Sequence, residues 1–402
     1  MKRLTLIAAI ALSTMVAFAQ ATKDKEQKEL DYQFTTVKEN PITSIKNQYQ
    51  SGTCWCFSSL SFLESELLRT QKKEYDLSEM WIIGHSYSDR AGKYVHLDGH
   101  LGFSAGSGFS DVFATVDKYG IVPQSVYSGM QYGSQLPEQA EMDAVLKAYV
   151  EAVVSRPGKS RFTTTAWKRG FDATVQAYLG QWLEKFTVDG KEYTPASYRD
   201  EVLKFNSSDY VNICSFEANP WWEECDIEVC DNWRCAKGYN VPMKEMLQIM
   251  YNALDNGYTV LWGGDVSEKG FTRNGVAVMP VEQKDEKPKA GSDQEHWLGK
   301  DTEENNEKTA VEIPAEIEVS DSLRQEAFER KMTTDDHGMH IYGYATDRNG
   351  TRYFIVKNSW GDAGKYNGIW YMSETYIAYK TLNFVVNKDA LPKDIRKKLG
   401  IK

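Results

Sequence analysis

The spacing of apolar residues in the first half of the chain predicts amphipathic helices. One begins at Cys54, and the preceding Thr53 is a candidate N-cap. Its apolar positions recur at i, i+4, i+7 and i+11, and they are Cys56, Leu60, Leu63 and Leu67. Because an α-helix has 3.6 residues per turn, these side chains share one face, which we expect to be buried.

Further helices are predicted towards the middle of the chain. Residues 109–119 have aromatic and aliphatic residues at helical spacing, and Gly120 and Pro123 follow as stop signals. Residues 136–187 and 241–255 are also predicted to be mainly helical. The segment WWEECDIEVCDNWRCAKGYNVP between them indicates an irregular loop fixed by its aromatic residues and cysteines.

After Gly257 the pattern changes to short β-branched and aromatic segments separated by turn residues, which predicts strands. These segments are TVLWGGDV, MHIYGYAT, TRYFIVKN, GIWYM and TLNFVVN. The second and third are joined by Asp347 to Gly350, where an Asn-Gly pair favours a hairpin turn. Residues 283–308 are charged and almost devoid of apolar side chains, so we interpret them as a solvated insertion.

The N-terminus predicts export. Lys2 and Arg3 precede an apolar run over residues 4–16, and small residues at Ala17 and Ala19 favour cleavage after Ala19. This run is too short to span a membrane, and no later run reaches eighteen apolar residues. We therefore expect a secreted or periplasmic protein without a membrane partner.

The chain divides into four predicted regions. They are a signal peptide at 1–19, an extended lead-in at 20–47, a helical lobe at 48–240 with a mainly helical insertion at about 130–240, and a β-rich lobe at 241–402 with a polar insertion at about 283–312. The fold class is therefore α+β. The mature length of 402 − 19 = 383 residues allows two lobes with a real core.

Charge excludes one class of partner. The formal net charge is −10, and removal of Lys2 and Arg3 with the signal peptide gives −10 − 2 = −12. A chain this acidic is a poor ligand for nucleic acids, so no nucleic-acid partner is expected.

Four cysteines lie close together in the middle of the chain: Cys214, Cys225, Cys230 and Cys235. They lack the CxxC pairs of zinc ribbons, and in an exported protein one or two disulfides are favoured over a metal. The sequence leaves the pairing open, and no metal or other cofactor is expected.

The cysteines of SGTCWCFSS, Cys54 and Cys56, have different predicted roles. Residues two apart on a helix point about 200° from one another, so the two thiols cannot bond each other or share a metal. Cys56 belongs to the buried stripe and is interpreted as a small apolar side chain. Cys54 lies in the first turn, where unpaired N–H groups and the helix dipole favour a thiolate. Cys54 is therefore a candidate nucleophile.

A thiolate nucleophile needs an imidazole partner, and the chain has six histidines. Surface roles are the default for three of them, His85, His96 and His100, and His296 lies in the charged insertion. His337 and His340 begin a predicted strand, and their odd separation sends them to opposite faces, so only one can point into a cleft.

The predicted hairpin selects His337. Folding at Asp347 to Gly350 brings the start of the first strand level with the end of the second, where Asn358 lies. Asn358 could then accept the imidazole N–H and fix its tautomer, while Trp360 covers the pair from water. Two unrelated polar residues at strand ends remain an alternative for this pair alone.

These residues resemble a known family. The order Gln48, Cys54-Trp55, His337 and NSWG at 358–361 is similar to that of papain-like cysteine peptidases. The resemblance implies a two-lobe fold in which a helical lobe packs against a β-barrel-like lobe. It also implies Cys54 as nucleophile, His337 as general acid and base, Asn358 as its orienting partner, and Gln48 as a side-chain donor to the oxyanion.

The sequence more closely resembles the bleomycin hydrolase branch, the aminopeptidases C, over about residues 45–390. The segments SGTCW, DKYGIVP, YTPASYRDEV, YNVP, WGGDV and DDHGM carry this resemblance. It implies an aminopeptidase that forms an acyl-enzyme with peptide substrates, and a possible hexamer. Substrate contacts are implied for Trp55 and Trp360, and for Ser107 and Gly108 as a cleft wall that pairs with an extended peptide.

Two features depart from that branch. In the resembled family the C-terminal arm blocks one side of the cleft, whereas KDIRKKLGIK follows the last predicted strand closely, so Lys402 is not expected to reach the cleft. Export is the other departure, because most relatives are intracellular. Endopeptidase activity, acyl transfer to an amine and a non-catalytic peptide-binding module are therefore alternatives, and a redox role for Cys54 and Cys56 is the weakest.

Overall fold

The computed structural model describes residues 32–155, 163–281 and 313–402. The predicted signal peptide, the first part of the lead-in and the polar insertion at about 283–312 lie outside the described residues, so those predictions stand untested. Within the described part of the chain, no helix combines the length and the apolar character that a membrane crossing requires.

The first half of the chain supplies most of the helices. They are α1 Cys54–Gln71, α2 Glu79–His96, α3 Phe109–Tyr119, α4 Ala140–Ser155, α5 Ala166–Leu179, α6 Met243–Asp255, α7 Asp321–Glu329, α8 Glu374–Lys380 and α9 Lys393–Lys398. Short turns at Pro195–Ser197, Tyr198–Leu203, Ser207–Asp209 and Lys388–Ala390 complete the helical structure of the described residues. The predicted helix over residues 109–119 is confirmed, and Gly120 follows it with φ +72°.

Most strands come from the second half. They are β1 Thr35–Glu39, β2 Phe186–Val188, β3 Lys191–Tyr193, β4 Tyr210–Cys214, β5 Glu224–Asp226, β6 Lys237–Asn240, β7 Val260–Gly264, β8 Phe271–Thr272, β9 Val276–Ala277, β10 His337–Thr346, β11 Arg352–Lys357, β12 Ile369–Ser373 and β13 Thr381–Asn387. The hairpin between β10 and β11 is confirmed, with Gly350 at φ +82° in its turn.

Eleven strands form one sheet, whose order is β5-β6-β4-β13-β7-β10-β11-β12-β9-β8, with β1 added to β10. The predicted α+β class is confirmed, whereas the expected β-barrel-like lobe is not: the described strands do not close into a barrel. Strand β10 is central because it pairs with β11 on one side and with β7 and then β1 on the other. The lead-in residues of β1 therefore hold the far end of the strand that begins at His337.

Two large hydrophobic cores lie on either side of this arrangement. The first unites the helices of the first half and includes Leu60, Trp81 and Phe171. The second packs α6, α8 and α9 against the sheet and includes Trp262 and Phe384. Helix α1 contacts β10 and β7, so the cores meet where α1 crosses the sheet.

Residues 210–240 differ from the prediction, which placed them in a mainly helical insertion ending in an irregular loop and expected no strand there. They contribute β4, β5 and β6 to the sheet, and β4 pairs directly with β13. The alternation of buried and half-exposed residues in YVNIC reflects a strand with one face on the core. Strand β4 forms because it pairs with β13, for example Cys214 with Asn383, and a partner so far away in the sequence is not visible in the local pattern.

The cysteines also differ from the prediction. All six are free thiols, so the expected disulfides are not formed. Cys214 on β4 and Cys225 on β5 have sulfur atoms 3.3 Å apart, beyond the S–S bond length of about 2.0 Å but close enough for an S–H contact. Cys230 and Cys235 are exposed on the loop that follows.

Candidate active site

One cleft of about 780 Å³ contains both residues predicted to react, Cys54 and His337. Helix α1 supplies Cys54 and strand β10 supplies His337, so the two come from different lobes. The opposite wall is formed by residues 104–110 and by the loop between β5 and β6. The fold therefore brings together side chains that are 283 positions apart in sequence.

Cys54 is the first residue of α1 and is 8% exposed. Thr53 precedes the helix as predicted, but its side chain makes no capping bond and instead contacts Ser51 Oγ at 2.6 Å. The helix therefore begins without a side-chain cap on its first N–H groups. Helical N–H groups point towards the N-terminal end of the helix, where the Cys54 thiol lies, and they stabilise negative charge on its sulfur.

A glycine allows β10 to approach α1 closely. A Cβ on Gly338 would lie 2.8 Å from Ser58 Oγ and 2.9 Å from Phe109 Cε1, closer than side-chain atoms tolerate. Ser58 itself donates to the carbonyl oxygen of Cys54 at 2.7 Å. The absence of a side chain at Gly338 thus lets its neighbour His337 reach the N-terminal end of α1.

His337 is held by Asn358 and Trp360. Its Nε2 lies 2.8 Å from Asn358 Oδ1, and its ring stacks on Trp360 with centroids 4.8 Å apart. The backbone N–H of Ser359 also donates to Asn358 Oδ1 at 2.8 Å, so that atom is the acceptor and Nε2 carries the proton. His337 and Asn358 are each 2% exposed. The orienting partner and the aromatic cover predicted from sequence therefore lie against the imidazole.

Gln48 is fixed beside Asn358 by a paired segment. Its N–H donates to the carbonyl oxygen of Ser359 at 2.7 Å, and Ser359 Oγ donates to its Oε1 at 2.5 Å. Its Nε2 donates to the carbonyl oxygen of Ser51 at 2.8 Å. Gln48 is 2% exposed and is not among the residues that line the cleft, and these bonds fix its carboxamide in one orientation.

The predicted wall residues line the same cleft: Trp55, Ser107 and Gly108. Trp55 Nε1 donates to the carbonyl oxygen of Ala105 at 3.0 Å, which ties α1 to the wall. The backbone of Gly108, predicted to pair with an extended peptide, is bonded to Asp111. Its N–H donates to Asp111 Oδ2 at 3.1 Å and its carbonyl oxygen accepts from Asp111 N at 3.0 Å, so both groups already have partners at the start of α3.

Cys56 and His340 lie in the core, as the helix and strand periodicities predict. Cys56 is fully buried, and burial raises the pKa of its thiol well above the ordinary value. His340 is also fully buried and contacts Ser61 Oγ at 2.9 Å. Burial, with a smaller contribution from the Lys357 ammonium, lowers the pKa of His340 well below the ordinary value. Neither side chain reaches the cleft.

His85 differs from its default surface role. It is buried and stacks between Tyr119 and Trp182, with ring centroids 4.1 Å and 4.4 Å away. Burial lowers the pKa of His85 to about 3. The aromatic partners come from distant positions, so the sequence around His85 does not reveal them.

Residues of the β5–β6 loop line the cleft although the sequence analysis assigned them no function. They are Ile227, Val229, Asp231, Asn232 and Ala236. The clustered tryptophans and cysteines predicted that this loop is fixed, but not where it lies. Among the residues that the structure describes, no group of three or more histidine, cysteine or carboxylate side chains could hold a metal ion.

Two family models match separate parts of the chain. The papain family cysteine protease model matches residues 28–153, which include Gln48 and Cys54. The peptidase C1-like family model matches residues 299–401, which include His337 and Asn358. The two matches thus cover both segments that the fold brings together at the cleft.

Whole proteins are similar at low identity. Aminopeptidase C of Lactobacillus delbrueckii subsp. lactis is 22% identical over 97% of this chain and 89% of that protein. Aminopeptidase C of Lactococcus lactis subsp. cremoris is 23% identical, with 88% and 82% covered. Mitochondrial cysteine proteinase 1 of Saccharomyces cerevisiae strain YJM789 is 22% identical, with 94% and 82% covered. The crystal structure of PepW from Lactobacillus rhamnosis HN001 superposes with a TM-score of 0.65 at 17% identity over 94% of this chain and 86% of that one, so the two share a fold.

Proposed function

We propose that this chain, which belongs to the papain-like cysteine peptidases in their aminopeptidase C branch, removes N-terminal residues from peptides by attack of the Cys54 thiolate. The observation that carries this proposal is the single cleft that holds Cys54 and the oriented His337, whose Nε2 lies 2.8 Å from Asn358 Oδ1. A cysteine-type peptidase needs a nucleophile, a base and an orienting group, and we propose Cys54, His337 and Asn358 for these roles.

His337 is proposed as the general base and acid. Because Nε2 donates to Asn358, proton exchange with the Cys54 thiol goes through Nδ1. Asn358 fixes the tautomer, and stacking on Trp360 keeps the ring from rotating. General acid and base catalysis of this kind contributes roughly 100- to 10,000-fold to turnover.

The reaction has two steps. The thiolate sulfur bonds to the carbonyl carbon, the carbon–nitrogen bond breaks, and the His337 imidazolium gives its proton to the leaving amine. Water then attacks the thioester, His337 accepts a proton from that water, and the acid product leaves with the thiol restored.

Gln48 is proposed to stabilise the oxyanion formed in each step, together with the backbone N–H of Cys54. The amide nitrogen of Gln48 carries two hydrogens, and one is given to the carbonyl oxygen of Ser51. The bond from Ser359 to Oε1 fixes the carboxamide so that the second hydrogen has a set direction. Such preorganised donors stabilise developing charge without reorganisation.

Export and assembly remain proposals that rest on the sequence. The N-terminal segment ending at Ala19 supports a secreted or periplasmic location. A hexamer is implied only by the resemblance.

Alkylation tests the reacting pair. Iodoacetamide at mildly acidic pH is expected to modify Cys54 first, because only a thiolate reacts rapidly there. His337→Ala should slow this labelling strongly, whereas His100→Ala, at an exposed position, should leave it unchanged. Peptide mapping by mass spectrometry measures the rate at each cysteine. Equal labelling of Cys54 and the exposed Cys230 would contradict the proposal.

A further inference from the structure

The last helix of the described chain lies away from the cleft. Helix α9 buries Ile395 in the second core, and Leu399 and Ile401 pack against that core as well. The Lys398 ammonium lies 4.1 Å from the Trp222 ring centroid. No described residue after Asn383 lines the cleft. Residues 384–402 therefore do not line the cleft, and other elements form its walls.

The β5–β6 loop lines the cleft instead, on the same wall as residues 104–110. We call residues 227–236 the cleft loop. The backbone of the cleft loop runs beside the wall at Cys230, Asp231 and Asn232. A Cβ on Gly102 would lie 3.8 Å from the carbonyl oxygen of Cys230, and a Cβ on Gly108 would lie 3.8 Å from that of Asp231 and 3.9 Å from Asn232 Cα. The cleft loop thus lies along the wall where an extended peptide would otherwise continue.

Contacts to the helical lobe fix the cleft loop in this place. Trp233 is buried, and its Nε1 donates to Ser107 Oγ at 2.7 Å. Lys93 Nζ donates to the carbonyl oxygen of Trp233 at 2.5 Å, and Arg234 Nη2 lies 3.0 Å from Asp89 Oδ2.

Asn232 closes the loop on itself. Its Nδ2 donates to the carbonyl oxygens of Ile227 and Ala236 at 2.9 Å and 2.8 Å. The cleft loop is therefore anchored through Trp233 and Arg234 and braced internally, which makes it a rigid wall.

The cleft loop places a carboxylate in the cleft. Asp231 lies against Gly106, where a Cβ would overlap its Oδ2. On the protein side, the buried Arg90 places Nη2 4.0 Å from Asp231 Oδ1 and donates Nε to the carbonyl oxygen of Gly102 at 2.8 Å. The Asp231 side chain is 26% exposed and lines the cleft, so its carboxylate is accessible to a substrate there. No lysine or arginine is among the residues that line the cleft.

Resting on the proposed function, we propose that the cleft loop closes the end of the cleft that receives the substrate's N-terminus, and that Asp231 binds its α-ammonium group. The loop limits how many residues fit before the scissile bond, and the carboxylate selects a charged terminus over a blocked one. Gly108 supports this, because its N–H already donates to Asp111 Oδ2 and is not available to pair with a longer extended peptide. Asp231 is thus a specificity residue for free N-termini.

The test compares aminocoumarin amides of Ala, Leu and Arg, each with a free and an acetylated α-amine. The full chain should hydrolyse free-amine substrates with the higher kcat/KM. Asp231→Asn should lower kcat/KM for the free forms at least about 10-fold, since a charged hydrogen bond is lost, and leave the acetylated forms unchanged. Asp226→Asn, on β5 outside the cleft lining, is the matched control and should keep the wild-type ratio. Removal of residues 400–402 should also keep it.

The outcomes separate this proposal from the peptidase proposal. If Cys54 is not labelled selectively and no substrate is hydrolysed, the proposed function fails. If the wild-type chain hydrolyses both forms equally, if Asp231→Asn keeps the preference for the free amine, or if removal of residues 400–402 abolishes it, the role of Asp231 is wrong.

A binding measurement covers the case in which Asp231→Asn does not fold. Leucine amide should protect Cys54 of the wild-type chain from iodoacetamide at lower concentration than N-acetyl-leucine amide does. Equal protection by the two would overturn the proposal.

Discussion

The cleft and the hydrophobic core each contain one cysteine from α1 and one histidine from β10. In the cleft, Cys54 lies at the open helix end and His337 is oriented by Asn358. In the core, burial raises the pKa of Cys56 and lowers the pKa of His340, so both are neutral. The same residue types two and three positions apart thus have opposite chemistry, and environment makes the difference.

The largest effect on turnover is expected at Cys54, with Cys56 as the matched comparison. Cys54→Ala should lower kcat by at least about 1000-fold, because the nucleophile is lost. Cys56→Ala should keep kcat and lower the free energy of unfolding by roughly 1 kcal/mol, since it leaves a small cavity in a packed core. Steady-state kinetics and urea unfolding measure the two quantities. A large loss of kcat in Cys56→Ala would break the comparison.

Two buried glutamines sharpen the comparison at a smaller scale. Gln48→Ala should lower kcat by about 100- to 1000-fold if its carboxamide donates to the oxyanion. Gln139→Ala removes a buried glutamine whose Nε2 contacts Met80 Sδ at 3.1 Å, and it should leave kcat unchanged. Kinetics on a free-amine amide provide the measurement. Equal kcat for Gln48→Ala and the wild type would rule out the oxyanion role.

The smallest effect concerns His340 and stability. Its pKa is lowered in the folded state, so below the unfolded value of about 6.5 the unfolded chain binds a proton that the folded chain does not. The free energy of unfolding should therefore fall as pH decreases below about 6.5, by about 1.4 kcal/mol per pH unit from this residue. His340→Gln should flatten the urea-unfolding profile by that amount. A profile identical to the wild type would show that His340 does not titrate on unfolding.

Features set by local pattern were predictable from the sequence. The helix over residues 109–119 follows from its spacing and Gly120, and the β10–β11 hairpin from its Asn-Gly turn. The hairpin in turn allowed His337 and Asn358 to be expected as neighbours. The fold class followed from the change from helical to strand periodicity near Gly257, and the family resemblance from Cys54-Trp55, His337 and NSWG at 358–361.

Features set by distant partners were not predictable. Strand β4 depends on β13, and the position of the cleft loop depends on Trp233 meeting Ser107. Thr53 had the right position for a cap, but its hydroxyl bonds to Ser51 instead. For β4 and the cleft loop a contact across the fold prevails over the local preference, whereas at Thr53 a neighbouring hydroxyl two residues away takes the place of the capping bond.

The separation of Cys54 from His337 has a consequence for synthesis. Strand β10 must pair with β7 and β11, and the imidazole is held only after Asn358 and Trp360 have been added. A growing polypeptide on the ribosome therefore has the proposed nucleophile long before it has the base. Any activity that needs both groups would therefore begin only when translation of the chain is nearly finished.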